Sequence, residues 1–140
     1  MPYLLETTLY TPNPATCARW YADVVGLRIL REPDERSAAL RIGADPQGLG
    51  RTSVLLLFNP EWSRRTGRGV PAHGAAGAGH VAFLVDDLDA WPDRLRAAGV
   101  EIEQEITWSK ADGFRPGRSI YVRDPAGNSV EFIDADIWPA

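Results

Sequence analysis

Three ionisable residues lie in strand-like runs where a charged side chain needs a reason. Glu131 sits inside Ser129–Ile133 (SVEFI), an otherwise mostly apolar run. Burying its carboxylate without a partner would cost several kcal/mol, which either a divalent ion or an arginine such as Arg118 or Arg123 would offset. His80 opens HVAFLV, where His80, Ala82 and Leu84 share one face and Val81, Phe83 and Val85 the other. Glu6 lies in YLLETTLY, on the face of Leu4, Thr8 and Tyr10. Tyr121 precedes Glu131 by ten positions across Asp124-Pro125-Ala126-Gly127. Its phenol could hydrogen-bond an oxyanion, act as a general acid, or simply be a half-buried strand aromatic.

The elements that must position these residues read as βαβββ, twice. In the second half the strand from His80 leads to a helix, with Asp86 or Asp87 as cap, apolar positions at Leu88, Trp91, Leu95 and Ala98, and Gly99 as stop. The runs VEIEQEI, GRSIYVRD and SVEFID follow as strands. Asp124 to Gly127 is a hairpin turn, with proline presetting φ and glycine supplying a positive one. In the first half YLLETTLY is followed by a helix capped by Asn13, with Pro14 in its first turn and Gly26 as its stop. Strands then run from Leu27 to Leu30, Ser37 to Ile42 and Ser53 to Phe58, and Asp45-Pro46-Gln47-Gly48 repeats the later turn. Glu6 to Gly26 spans 20 positions and His80 to Gly99 spans 19, so Glu6 registers on His80. Duplication is the economical reading, and it predicts an α+β fold of two curved four-stranded halves. Module one covers about 1–60, a connector 61–78, and module two about 79–135.

The stretch from Asn59 to Gly79 is rich in glycine, with no hydrophobic period, and reads as a mobile connector. Its Arg64, Arg65 and Arg68 either clamp an anion or keep a loop solvated. His73 either enters the site as an acid or base or stays exposed. Among the five tryptophans, Trp20 and Trp91 fall on apolar helix faces, whereas Trp108 and Trp138 are candidates for the wall of a binding site.

Composition bounds the function. The 140 residues suit one domain, and a net charge of −4 argues against nucleic acid as a partner. No apolar run approaches the roughly 18 residues of a membrane span, and MPYLLETT has no signal-peptide pattern, so no membrane partner and a cytoplasmic location are expected. Cys17, the single cysteine, has no internal disulfide partner and reads as a core thiol.

GHVAFLVDDLDAW and YVRDPAGNSVEF, with the matching module upstream, resemble the vicinal oxygen chelate superfamily of glyoxalase I, bleomycin- and fosfomycin-resistance proteins and extradiol dioxygenases. The resemblance implies tandem βαβββ modules around a cavity, commonly in a homodimer, and a divalent metal ion (zinc, nickel, manganese, cobalt or iron). It places the ligands on Glu6, His80 and Glu131, although histidine is commoner at the first position. It also places Tyr121 in the position of the tyrosine that lines the fosfomycin-type pocket, and allows Glu6 to detach as a base. Trp108 and His73, by residue type and placement alone, are further candidates for substrate contact. A fourth ligand would fall on Leu56 or Thr52, depending on whether the apolar runs or the D-P-x-G turns are aligned. Neither residue can serve, which departs from the four ligands of glyoxalase I. The expected function is a metal-dependent enzyme acting on a small oxygenated substrate through a stabilised oxyanion. The alternative is a metal-free drug- or metabolite-binding protein, with an extradiol-type dioxygenase third.

Overall fold

The computed structural model describes residues 6–43, 53–66, 77 and 79–138. The chain divides into two compact units, one of residues 1–79 with 124–128, the other of 80–123 with 129–140. Each carries one four-stranded mixed sheet of identical topology.

In the first unit the order is β1 (Glu6–Tyr10), β4 (Val54–Phe58), β3 (Ser37–Arg41) and β2 (Arg28–Ile29). β1 runs parallel to β4 and the other pairs are antiparallel. Between β1 and β2 lies α1 (Pro14–Trp20), started by the Asn13 side chain accepting from Thr16 N at 3.1 Å. The helix does not run on regularly to Gly26. Tyr21–Val25 widens into a π-turn in which the amides of Gly26 and Leu27 both donate to the Tyr21 carbonyl. Gly26 then ends it at φ 87°, a conformation open to glycine. Ala18, Tyr21, Leu40, Leu55 and Leu57 form the fully buried core of this unit. Trp20, expected in that core, is only half-buried and packs edge-on against Tyr21.

The second unit repeats the pattern as β5 (His80–Leu84), β8 (Ser129–Ile133), β7 (Gly117–Arg123) and β6 (Gln104–Trp108). Again the outer first strand is parallel to the last. The expected single helix is instead a 3₁₀ turn (Leu88–Ala90) leading into α3 (Trp91–Ala97). Pro92 sits in the first turn of α3, where its missing N–H costs nothing, and neither aspartate side chain caps the turn that precedes it. Trp91 stacks on Phe132 at 4.1 Å, and Leu95, Val122 and Val130 complete this core. β6 starts later than VEIEQEI suggests, because its register is set by pairing Gln104 with Tyr121 and Trp108 with Gly117.

The turn after β7 closes as anticipated, with Gly127 at φ 89° and its amide donating to Asp124 O at 2.9 Å. The start of the glycine-rich connector is not loop but α2 (Pro60–Thr66), opened by Asn59 Oδ1 accepting from Glu61 N. His73, Arg68 and the first D-P-x-G turn lie outside the described residues.

Candidate functional site

Strand alternation builds the site in the second unit. β5 turns His80, Ala82 and Leu84 to one face, as the pattern predicted, while Phe83 is buried on the other. β8 turns Glu131 and Ile133 to the same side, and β7 adds Ser119 and Tyr121. Next to these, Trp108 from β6, Phe114 from the following loop and Trp138 from the segment after β8 wall a groove of about 650 Å³.

Glu131 is the hub. It is 6% exposed, so both carboxylate oxygens need partners, and both have them. The Ser119 hydroxyl donates to Oε1 at 2.6 Å, and His80 Nε2 lies 3.1 Å from Oε2. The Trp108 indole, which can only donate, gives its Nε1–H to Ser119 Oγ at 2.7 Å, leaving the hydroxyl to donate onward to Glu131. Tyr121 stands directly opposite Glu131 in the β7–β8 register and lies near-parallel to the His80 ring, 6.1 Å away. Burial first, then the hydrogen bond to Glu131 and its charge, push the Tyr121 phenol up to about 12. It therefore stays protonated across the ordinary pH range and acts as a hydrogen-bond donor rather than a ready acid.

The arginine alternative for Glu131 fails. Arg118 is taken by Asp89 and Asp134, and Arg123 by Glu103. Tyr121, Trp108 and Trp138 line the groove. Glu6 is exposed at the start of β1 in the first unit. Ser119, Phe114 and Asp136 were missed. Ser119 was legible in principle, since it shares the i, i+2 face of Tyr121, whereas Phe114 is placed by a loop that carries no periodic signal.

A family profile, the glyoxalase/bleomycin resistance protein/dioxygenase superfamily, matches residues 3–132. The chain belongs to that superfamily. Similar proteins of this superfamily include a lactoylglutathione lyase of Haemophilus influenzae, 30% identical over 94% of this chain and 91% of that protein. A lactoylglutathione lyase of Neisseria meningitidis serogroup A is 26% identical over 93% and 88%. Among solved structures, a lactoylglutathione lyase from Agrobacterium tumefaciens superposes with a TM-score of 0.77 at 32% identity, covering 96% of this chain and 95% of that one.

For a superfamily member the question is whether these residues suit a divalent ion. His80 Nε2 and Glu131 Oε2 face each other as an imidazole nitrogen and a carboxylate oxygen, donors that first-row divalent ions accept. Ser119 holds the other carboxylate oxygen, the kind of outer support that orients a ligand. The pair fits. Among the described residues, no group of three or more histidine, cysteine, aspartate or glutamate side chains is gathered closely enough to hold an ion. Strand register relates Leu56 to Glu131 by position. Ala82, two residues beyond His80, pairs with Glu131, and Thr8, two beyond Glu6, pairs with Leu56. The first unit thus carries hydrocarbon at the position equivalent to Glu131.

Proposed function

We propose that this chain is a divalent-metal-dependent enzyme of the glyoxalase type, carrying out lyase or isomerase chemistry on a small oxygenated substrate held in the groove of the second unit. The observation that carries this reading is the buried Glu131 carboxylate, paired with His80 Nε2 at 3.1 Å on the groove wall and braced by Ser119 and Trp108. A buried carboxylate with so much support is costly to keep for structure alone, since an apolar strand residue would pack there at no desolvation cost. Its relatives named lactoylglutathione lyase support the reaction class.

His80 and Glu131 are the ligands of the second unit in this reading; Glu6, which the resemblance adds to them, stands at the equivalent strand position of the first unit. When bound, a divalent ion supplies Lewis acidity that polarises substrate oxygens and stabilises a developing oxyanion. Ser119 fixes the carboxylate by donating to Oε1. Tyr121, whose phenol proton goes to Glu131, adds a polar group to the same wall of the groove. Ala82, Leu84 and Ile133 give the groove an apolar lining beside these polar residues.

Leu56 at the fourth position favours one other reading, a metal-free binding protein. Thermal-shift titrations with manganese, iron(II), cobalt, nickel and zinc separate the two. Metal-dependent stabilisation of the wild type that is lost in His80→Ala and reduced in Glu6→Ala supports the enzyme. No shift with any ion, together with stabilisation by flat ligands unaffected by chelator, moves the assignment to the binding protein.

A further inference from the structure

One line of side chains crosses the sheet of the second unit from edge to edge. In the strand order β5-β8-β7-β6 the outer strands are β5 and β6. Trp108 on β6 pairs with Gly117, so Ser119 is its diagonal neighbour on β7. Ser119 pairs with Ile133, which makes Glu131 the diagonal neighbour on β8. Glu131 pairs with Ala82, which makes His80 the diagonal neighbour on β5. The same two-residue offset recurs at every step, on one face of the sheet, a spacing that long side chains can bridge.

Each step is bridged. Trp108 Nε1 donates to Ser119 Oγ at 2.7 Å, Ser119 Oγ lies 2.6 Å from Glu131 Oε1, and His80 Nε2 lies 3.1 Å from Oε2. The setting changes along the line. Ser119 and Glu131 are buried, whereas Trp108 is half-buried on the groove wall. Its ring meets Phe114 edge-on at 4.8 Å, and Phe114 meets Trp138 at 5.7 Å. An indole is rigid, with two side-chain torsions, so a displacement of the ring on the wall carries its N–H away from Ser119.

We propose that Trp108 is a positioning residue for Glu131, acting through Ser119, and that it couples the groove wall to the affinity of the site for a divalent ion. The inference rests on the metal-enzyme reading above. With the indole N–H on Ser119, the serine hydroxyl is oriented and Oε1 is held, so Oε2 stands fixed beside His80. With the ring turned away, Ser119 loses a donor, and the carboxylate regains freedom that an ion must remove on binding. The coupling runs both ways: what steadies the ring tightens the ion, and the ion steadies the ring.

The test is calorimetric titration of chelator-treated protein with zinc and with manganese, each variant's fold being checked by circular dichroism. Trp108→Phe keeps a ring on the wall, removes the N–H, and weakens both ions roughly tenfold or more. Ser119→Ala does the same, and the double variant is no weaker than Ser119→Ala alone, because the two residues act in series. Phe114→Ala removes the ring's edge-on neighbour, leaves the hydrogen-bonding groups in place, and weakens the ions by a smaller factor. Tyr21→Phe, which loses a buried hydrogen bond in the first unit, leaves both affinities unchanged and so separates positioning from general destabilisation. A second readout does not depend on a Trp108 variant that folds. In isotope-labelled wild type, zinc shifts the Trp108 indole N–H resonance and slows its exchange with solvent, and it does neither in His80→Ala. Full affinity in Trp108→Phe or Phe114→Ala, additive losses in the double variant, or an indole resonance that zinc leaves unmoved overturns this inference alone and keeps the metal reading. Wild type that takes up neither ion removes the metal reading, and this inference with it.

Discussion

At the residue scale the site is a short chain of donors ending on one carboxylate. Trp108 donates to Ser119, Ser119 to Glu131, and the imidazole of His80 meets the remaining oxygen. Ser119 is 1% exposed, so Ser119→Ala strands an indole N–H and a carboxylate oxygen at once. It should cost about 1–3 kcal/mol in urea unfolding, more than an ordinary serine truncation. Tyr121 gives a pH prediction. In chelator-treated protein, the ultraviolet titration difference between wild type and Tyr121→Phe places this phenol at about 12, above the ordinary tyrosine value. Its raised value means that it adds stability below the unfolded-state value near 10, and that this contribution is lost as pH rises through about 12. Glu131→Gln removes the anionic acceptor and lowers the value, but burial, the largest cause, keeps it above the ordinary one.

At the element scale, alternation made much of the site readable. The period-2 pattern of HVAFLV put His80, Ala82 and Leu84 on one face, and a carboxylate in SVEFI announced itself by being out of place among apolar neighbours. The β7–β8 turn was readable because its proline and glycine have fixed backbone uses. What alternation could not supply was register, so the order of partners around Glu131, and the choice of Leu56 over Thr52, waited for strand pairing. Irregular pieces were silent for the same reason. The π-turn at Tyr21–Val25, the 3₁₀ entry to α3 and the segment after β8 follow no simple period. That last segment is held close to β7. A Cβ at Gly117 would lie 2.7 Å from Ile137 Cγ2 and 3.3 Å from Ala135 Cβ, so Gly117→Ala must push the segment outward. The expected outcome is loss of the Phe114–Trp138 contact, read as a change in tryptophan emission, with little effect on metal affinity.

At the scale of the whole molecule, two units share one topology but not one chemistry. The second has His80 and Glu131 on its outer and inner strands, where the first has Glu6 and Leu56. The first unit invests its buried polar groups in structure instead. Tyr21 donates to Asp124 at 2.8 Å, and Asn128 donates to Asp124 at 2.9 Å and to the Tyr10 carbonyl at 3.2 Å, which ties the 124–128 turn into that unit. The thiol of Cys17 belongs to the same neighbourhood, donating to Thr11 Oγ1, with burial raising it away from reactivity. Tyr21→Phe should cost about 1–3 kcal/mol of unfolding free energy while leaving metal uptake unchanged, because it removes a partner of a buried carboxylate remote in role from Glu131. Among the described residues no helix is long and apolar enough to cross a membrane.

The most direct test of the metal reading is the metal content of protein purified without chelator or affinity tag, measured for wild type and Glu131→Ala side by side. Near-stoichiometric divalent metal in the wild type, falling to background in a folded Glu131→Ala, is the predicted result. A metal-free wild type that also takes up none on incubation with manganese, cobalt, nickel or zinc, or a variant that keeps its full complement, would contradict it.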